Sequence, residues 1–195
     1  MKTLMKYLGI TVTALALTHF AGAEDTPQNG AASTDHLVAA TAELQHNLDA
    51  KTAKQGDTVS AKLSQSIHLN GTTLPRNTLL IGHIDTVQSS QNSSVSKVVL
   101  TFDQARLANG QQVAVKATLV GFYPAGTTET FPSLSPQLEV NQEPSGAHGL
   151  GLVSSVDGSN SGTLSANGRN VHLTNGTELQ FAVTPAASGS TSTGN

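Results

Sequence analysis

The chain has 195 residues, with 10 Lys and Arg against 13 Asp and Glu, a formal net charge of −3 and no cysteine. That balance argues against a basic nucleic-acid-binding face, and the missing thiols exclude disulfides, thiol catalysis and Cys-ligated metal. Aromatic residues make up 4% of the chain, Trp is absent and Gly occurs 18 times, a composition that suits a small β core with loose segments.

Lys2 and Lys6 precede an apolar run from Tyr7 to Phe20 and the small-residue site Ala21-Gly22-Ala23, the three parts of a secretory signal peptide. Residues 1–23 are expected to be removed, leaving Glu24 first. The run falls short of the roughly 20 apolar residues a span needs, so no transmembrane span is expected after removal. Losing Lys2 and Lys6 takes the basic count from 10 to 8 against 13 acids, and the net charge from −3 to −5. Residues 24–41 have little to bury and read as a flexible tether. Asp35 would cap a helix through Leu37, Ala40, Leu44 and Leu48, yet Leu44, His46 and Leu48 equally fit strand alternation. A strand over Ala42–Asp49 is preferred, because the downstream sheet needs a first partner.

The strongest strand and turn signals lie between Gly56 and Val87. Val59, Ala61 and Leu63 alternate with polar residues, as do Ile67 and Leu69, the period of a half-buried strand. Asn70-Gly71 tolerates positive φ, and Leu74-Pro75 forces extended geometry before the run Leu79 to Ile84. Residues 88–96 are a polar loop. Val98, Leu100 and Phe102 then share one face of a strand, with Phe102 a core anchor. Asn109-Gly110 predicts a type I′ hairpin, whose second arm alternates Val113, Val115, Ala117 and Leu119.

From Tyr123 to Gly168 the chain turns to Pro, Gly, Ser, Thr and Glu, a poor candidate for packed core and therefore expected to be a flexible polar insertion. Strand alternation returns at Val171 to Val183, and the segment 169–184 is expected to close the sheet, since closure removes an aggregation-prone edge. Residues 185–195 read as a disordered tail. The organisation expected is a signal peptide, a tether, main barrel strands over 42–122, the insertion over 123–168, and the closing strand. The fold class is all-β, a small antiparallel barrel. Gly71, Pro75, Gly82, Phe102, Gly110 and Gly176 are the residues on which it is expected to depend. A short echo links Ile67-His68-Leu69-Asn70-Gly71-Thr72 with Val171-His172-Leu173-Thr174-Asn175-Gly176-Thr177, and shared Gly-Thr turn chemistry accounts for it.

Chemistry is sparse. His36, His46, His68, His83, His148 and His172 show no metal-ligand spacing. The sharpest metal candidate is His68 with His172, should their strands pair, with Asp85 near. No Gly-x-Ser-x-Gly elbow occurs, and the acids around Glu139 to Glu143 and Asp157 lie in sequence expected to be too loose for acid-base work. Neither a catalytic site nor a cofactor is expected.

The order Leu74-Pro75-Arg76-Asn77-Thr78-Leu79-Leu80-Ile81-Gly82, polar loop, Val98 to Phe102, then Leu107, Asn109-Gly110 and Val113 resembles the C-terminal barrel of TrbI-like proteins, scaffolds of the type IV secretion (conjugation) channel. Gly176 to Leu179 matches that family's late Gly-Thr-x-Leu strand. Asn77 stands where the family has glycine, and the polar 123–168 stretch stands where conjugation scaffolds carry an apolar hairpin. The resemblance implies a non-enzymatic module of the periplasm or outer envelope, or a secreted one, with envelope proteins as partners and oligomerisation open. The alternative is a small-ligand or metal-binding module using the barrel mouth near His68, His83 and His172.

Overall fold

A computed structural model describes residues 37–91, 93–125, 139–145 and 149–186. They are all-β, with no helix among them. Six strands close an antiparallel barrel: β1 (Val38–Leu44), β3 (Thr58–Leu63), β6 (Leu79–Gln88), β7 (Val95–Arg106), β8 (Gln112–Tyr123) and β13 (Glu178–Pro185). The ring runs β6-β3-β1-β13-β8-β7, and β7 pairs back onto β6. Two short pairs flank it, β2 (Leu48–Asp49) with β12 (His172–Leu173), and β4 (Ile67–Leu69) with β5 (Thr72–Leu74). The signal-peptide reading, most of the tether and residues 187–195 lie outside the described residues.

Alternation puts the core inside the ring. Val59, Ala61 and Leu63 of β3, Leu80 and Ile84 of β6, Val98, Leu100 and Phe102 of β7, and Val115, Ala117 and Leu119 of β8 are all buried. The Phe102 and Phe181 rings meet edge to face, centroids 5.1 Å apart and planes at 71°, at the centre of this packing. Fully burying each ring contributes roughly 1.5–3 kcal/mol. β13 lies between β1 and β8, with Val38 opposite Val183 on one side and Phe181 opposite Leu119 on the other. It is the strand that closes the ring.

The first strand differs from expectation. It begins at Val38, inside the presumed tether, and ends at Leu44, so Leu48 and Asp49 leave the barrel to pair with β12. The insertion differs more. Residues 139–145 (β9), 150–155 (β10) and 162–167 (β11) form three antiparallel strands, while 126–138 and 146–148 lie outside the described residues. Leu152, Leu164 and Ala166 are completely buried. These few alternating apolar residues suffice because β11 does not stand alone: it takes the edge of β7 from Val95 to Leu100. Beyond that point β8 takes over the same edge, from Phe102 to Arg106. Ser161 occupies the fork, its N–H donating to Leu100 O (2.7 Å), its carbonyl accepting from Leu119 N (2.8 Å) and its Oγ accepting from Phe102 N (2.7 Å).

The barrel has an internal two-fold. Ala42 pairs Leu63 and Leu44 pairs Ala61, so β1 and β3 exchange places about the Glu43–Lys62 pair. β1 lies on β13 with Ala42 opposite Leu179, and β3 lies on β6 with Ala61 opposite Leu80. A bulge falls between Ile81 and Gly82 where β6 meets β7, and between Gln180 and Phe181 where β13 meets β8. Even the turn bonds match: Leu63 N–H donates to Thr78 O while Asn77 N–H donates to Leu63 O, and Leu44 N–H donates to Thr177 O while Gly176 N–H donates to Leu44 O. The real internal correspondence therefore aligns Leu74-Pro75-Arg76-Asn77-Thr78 with Leu173-Thr174-Asn175-Gly176-Thr177. The echo seen in the sequence is out of register with it.

Turn chemistry explains why. Asn70 and Gly71 both have positive φ (37° and 82°) in a two-residue hairpin loop, the type I′ pattern. Pro75 opens a turn closed by Thr78 N–H to Pro75 O (3.1 Å), with Asn77 at φ 69° in its third position. Thr174 to Thr177 repeats it with Gly176 at φ 80°, the type II pattern. At Asn109-Gly110 only Gly110 has positive φ, and Gly110 N–H bonds Leu107 O. That loop is a type I turn followed by a left-handed residue instead of the expected type I′. Gly82 has a different reason to be glycine: a Cβ there would stand 2.1 Å from Thr101 O and 2.9 Å from Phe102 Cα.

Candidate functional site

The histidines do not converge. His68 sits on β4 facing Thr73 of β5, with Nδ1 2.9 Å from Thr73 Oγ1. His172 sits on β12 opposite Asp49 of β2, Nδ1 to Oδ2 3.4 Å. The two short sheets are equivalents under the two-fold, in which Asp49 matches His68 and His172 matches Thr73, so the strands carrying the histidines do not pair with each other. Asp85 belongs with His83 instead, His83 Nε2 to Asp85 Oδ1 being 3.0 Å, while Thr101 Oγ1 donates to Asp85 Oδ2 at 2.7 Å. The carboxylate stands in the middle of that row, so Thr101 has no imidazole base and the row is not a nucleophile–base–orienter arrangement. Among the described residues, no group of three or more His, Cys, Asp or Glu is placed to hold a metal ion. His36 and His148 lie outside the described residues.

The predicted structural residues lie in turns and close contacts as described, Gly71, Pro75, Gly110 and Gly176 in loops, Gly82 and Phe102 where β6 crosses β7. Glu139 and Glu143 stand on β9, the free edge of the main sheet among the described residues. Charge on such an edge discourages strand addition.

Among the described residues, two cavities stand out. The smaller, about 150 Å³, lies between the β1–β2 turn and the start of β3 and includes His46, Asp49 and Asp57. The larger, about 280 Å³, lies where the β9–β11 sheet meets the barrel. Phe122, Pro124, Leu150 and Leu173 give it an apolar lining, and Arg169, Asn170, His172, Thr174 and Thr177 add polar groups. His172 is the single member of the expected barrel-mouth trio that borders it. Each polar residue has a structural reason for its position. Asn170 is pinned through its Oδ1, which accepts from both the N–H (2.8 Å) and Oγ (3.0 Å) of Ser90. Its neighbour Val171 donates its N–H to Ser96 Oγ (3.1 Å). Thr177 ends the turn that clasps Leu44. Arg169 follows Gly168, whose φ of 68° swings the chain off β11.

Sequence reading overlooked Arg169. Its signal was faint: a lone cation after Asn167-Gly168, at the boundary between a stretch judged loose and a strand. Nothing in strand periodicity marks such a residue.

The fold and cavity define a closed six-stranded barrel with an added three-stranded sheet and a small mixed-polarity cavity at their junction. No protein-family model, curated protein or solved structure matches the chain.

Proposed function

We propose that the chain is an exported, non-enzymatic module of the cell envelope, a structural or interaction part similar in kind to the TrbI-like scaffolds its strand order resembles. The observation supporting this reading is the division of labour in the sheet: six strands suffice for closure, whereas β9, β10 and β11 extend outward from one of them. An appended sheet enlarges the surface open to partners while the ring stays closed through the β7–β8 pairing from Phe102 to Arg106. The partners are envelope proteins, and the setting is the periplasm or outer envelope.

The experiment is a pull-down from envelope extract with the protein starting at Glu24, beside a variant in which 126–160 is replaced by a short Gly-Ser linker. Recovery of secretion-channel components by the first and not the second supports the reading. Equal recovery by both, or none by either, counts against it. A second reading, a small-ligand module, is favoured by the cavity beside His172 and Arg169.

A further inference from the structure

We infer that the cavity at the junction of barrel and added sheet binds a small organic carboxylate with an apolar body. The inference develops the ligand-binding reading and does not depend on the scaffold role.

Its position is the first argument. Under the two-fold, the place equivalent to this cavity lies beside β5, where the β7–β8 pairing continues to Arg106 opposite Gln112, with one irregularity between Phe102 and Gln104. On the cavity side that pairing is interrupted. β11 has taken Val95 to Leu100, and Ser161 separates Leu100 from Leu119. The far end of β8, with Phe122, thus has Leu150 of the added sheet as a cavity neighbour. The cavity lies where the barrel departs from its own symmetry.

Hydrogen-bonding capacity is the second. The cavity is rich in donors whose competing acceptors are already engaged. Asn170 Oδ1 is taken twice by Ser90, leaving the amide N–H groups to donate. Asp49 Oδ1 accepts from Lys51 N–H (2.8 Å), and its Oδ2 faces His172 Nδ1, so the other ring nitrogen of His172 is left for a ligand. Arg169 has no carboxylate within ion-pair distance among the described residues. Cations elsewhere are differently placed: Lys62 lies 4.0 Å from Glu43, and Lys116 donates to the carbonyls of Val156 and Gly158. A planar, unpaired guanidinium beside an amide donor suits a planar carboxylate, which it can meet with two parallel hydrogen bonds.

Size is the third. Drug-sized ligands occupy roughly 300–1,000 Å³, so a cavity of about 280 Å³ takes something smaller, such as one ring or a short chain. Phe122 and Leu173 offer that body apolar contact.

The test is titration of the ¹⁵N-labelled protein with benzoate, with benzyl alcohol and benzylamine as neutral and cationic counterparts. Saturable amide shifts confined to Phe122, Leu150 and Arg169 to Thr174 are expected with benzoate, at least ten-fold weaker with benzyl alcohol and absent with benzylamine. Arg169→Gln, at an exposed position, should leave the rest of the spectrum in place and weaken benzoate at least ten-fold. Asn170→Asp, which keeps the acceptors that Ser90 uses and adds a negative charge, should weaken it as much. Unsaturable or scattered shifts, equal affinity for the alcohol, or undiminished binding by a folded Arg169→Gln protein would overturn the inference.

Discussion

In the half of the barrel built from β3 to β6, the bulge at Asp103 of β7 sets Gly82 of β6 against Phe102; in the half built from β1, β12 and β13, the matching bulge at Val120 of β8 sets Phe181 beside Leu119. Backbone pairing, bulge position and turn bonds coincide, while the side chains are exchanged in size. Where one half has glycine the other has phenylalanine, and the two aromatic rings meet in the middle. Two halves of one plan thus share almost no sequence likeness.

The sharpest way to break the comparison is to remove matching parts. Deleting residues 172–195 takes away β13 and leaves unpaired edges on β1 and β8. The expected outcome is loss of the cooperative thermal transition and aggregation on a sizing column. Replacing 126–160 by a short linker removes β9 and β10 but leaves the ring, and a folded, less stable monomer is expected. Were the two deletions equally damaging, the added sheet would have to be counted as part of the barrel.

Within the ring, Phe102→Ala and Phe181→Ala should each cost about 3–5 kcal/mol by chemical denaturation. Together they should cost less than their sum, since ring pairs of this geometry couple by about 0.5–1.5 kcal/mol. Gly82→Ala drives a Cβ to 2.1 Å from Thr101 O, backbone that cannot step aside cheaply, so a loss on the order of 3 kcal/mol is expected.

The turns allow a finer comparison. Gly176→Ala places a Cβ-bearing residue at φ 80°, which costs about 1–2 kcal/mol. The equivalent Asn77 has φ 69°, and Asn77→Gly should stay within about 0.5 kcal/mol of the native protein, because Asn tolerates this conformation. Denaturant midpoints of the two variants measure the difference directly. If Asn77→Gly lost as much as Gly176→Ala, the two turns would not be equivalents.

Much of this was legible in the sequence, and the rest was hidden for physical reasons. Alternation marked β3, β6, β7, β8 and β13, because each turns an alternating apolar face to the core, although β13 is buried on both faces from Leu179 to Val183. β9 to β11 escaped notice, since they rest on the edge of β7 and need few apolar residues; Leu152, Leu164 and Ala166 scattered among Ser, Thr and Gly give no strong period. The start of β1 was missed because Ala39, Ala40 and Thr41 are too small to signal burial, although Ala40 is completely covered. The cavity was invisible, because Phe122, Leu150 and Arg169 are distant in sequence and meet only through the fork at Ser161.

The smallest expected effect lies on the outer surface, at a position where the halves differ in charge. Glu178 opens β13 and stands opposite Glu43 on β1, whereas the equivalent Leu79 stands opposite Lys62 on β3. Burial, with the Glu43 carboxylate as a second cause, raises the Glu178 pKa above its ordinary value, and its Oε1 is buried without a hydrogen-bond partner. A folded-state pKa above the unfolded one means that the native protein binds the proton more tightly. The associated stability is present below the ordinary Glu pKa and is lost as pH rises through the raised value. At neutral pH the side chain is a half-buried charge facing a like charge. Glu178→Gln should therefore stabilise the protein near neutrality by on the order of 0.5 kcal/mol, a modest figure because solvent screens half-exposed charges. The advantage should shrink on acidification and vanish once Glu178 is protonated in both folded and unfolded states. Melting temperatures of the two proteins between about pH 4 and pH 8 decide the matter: the curves should converge at the acidic end, and a constant separation would show that the carboxylate's charge is not what distinguishes this half.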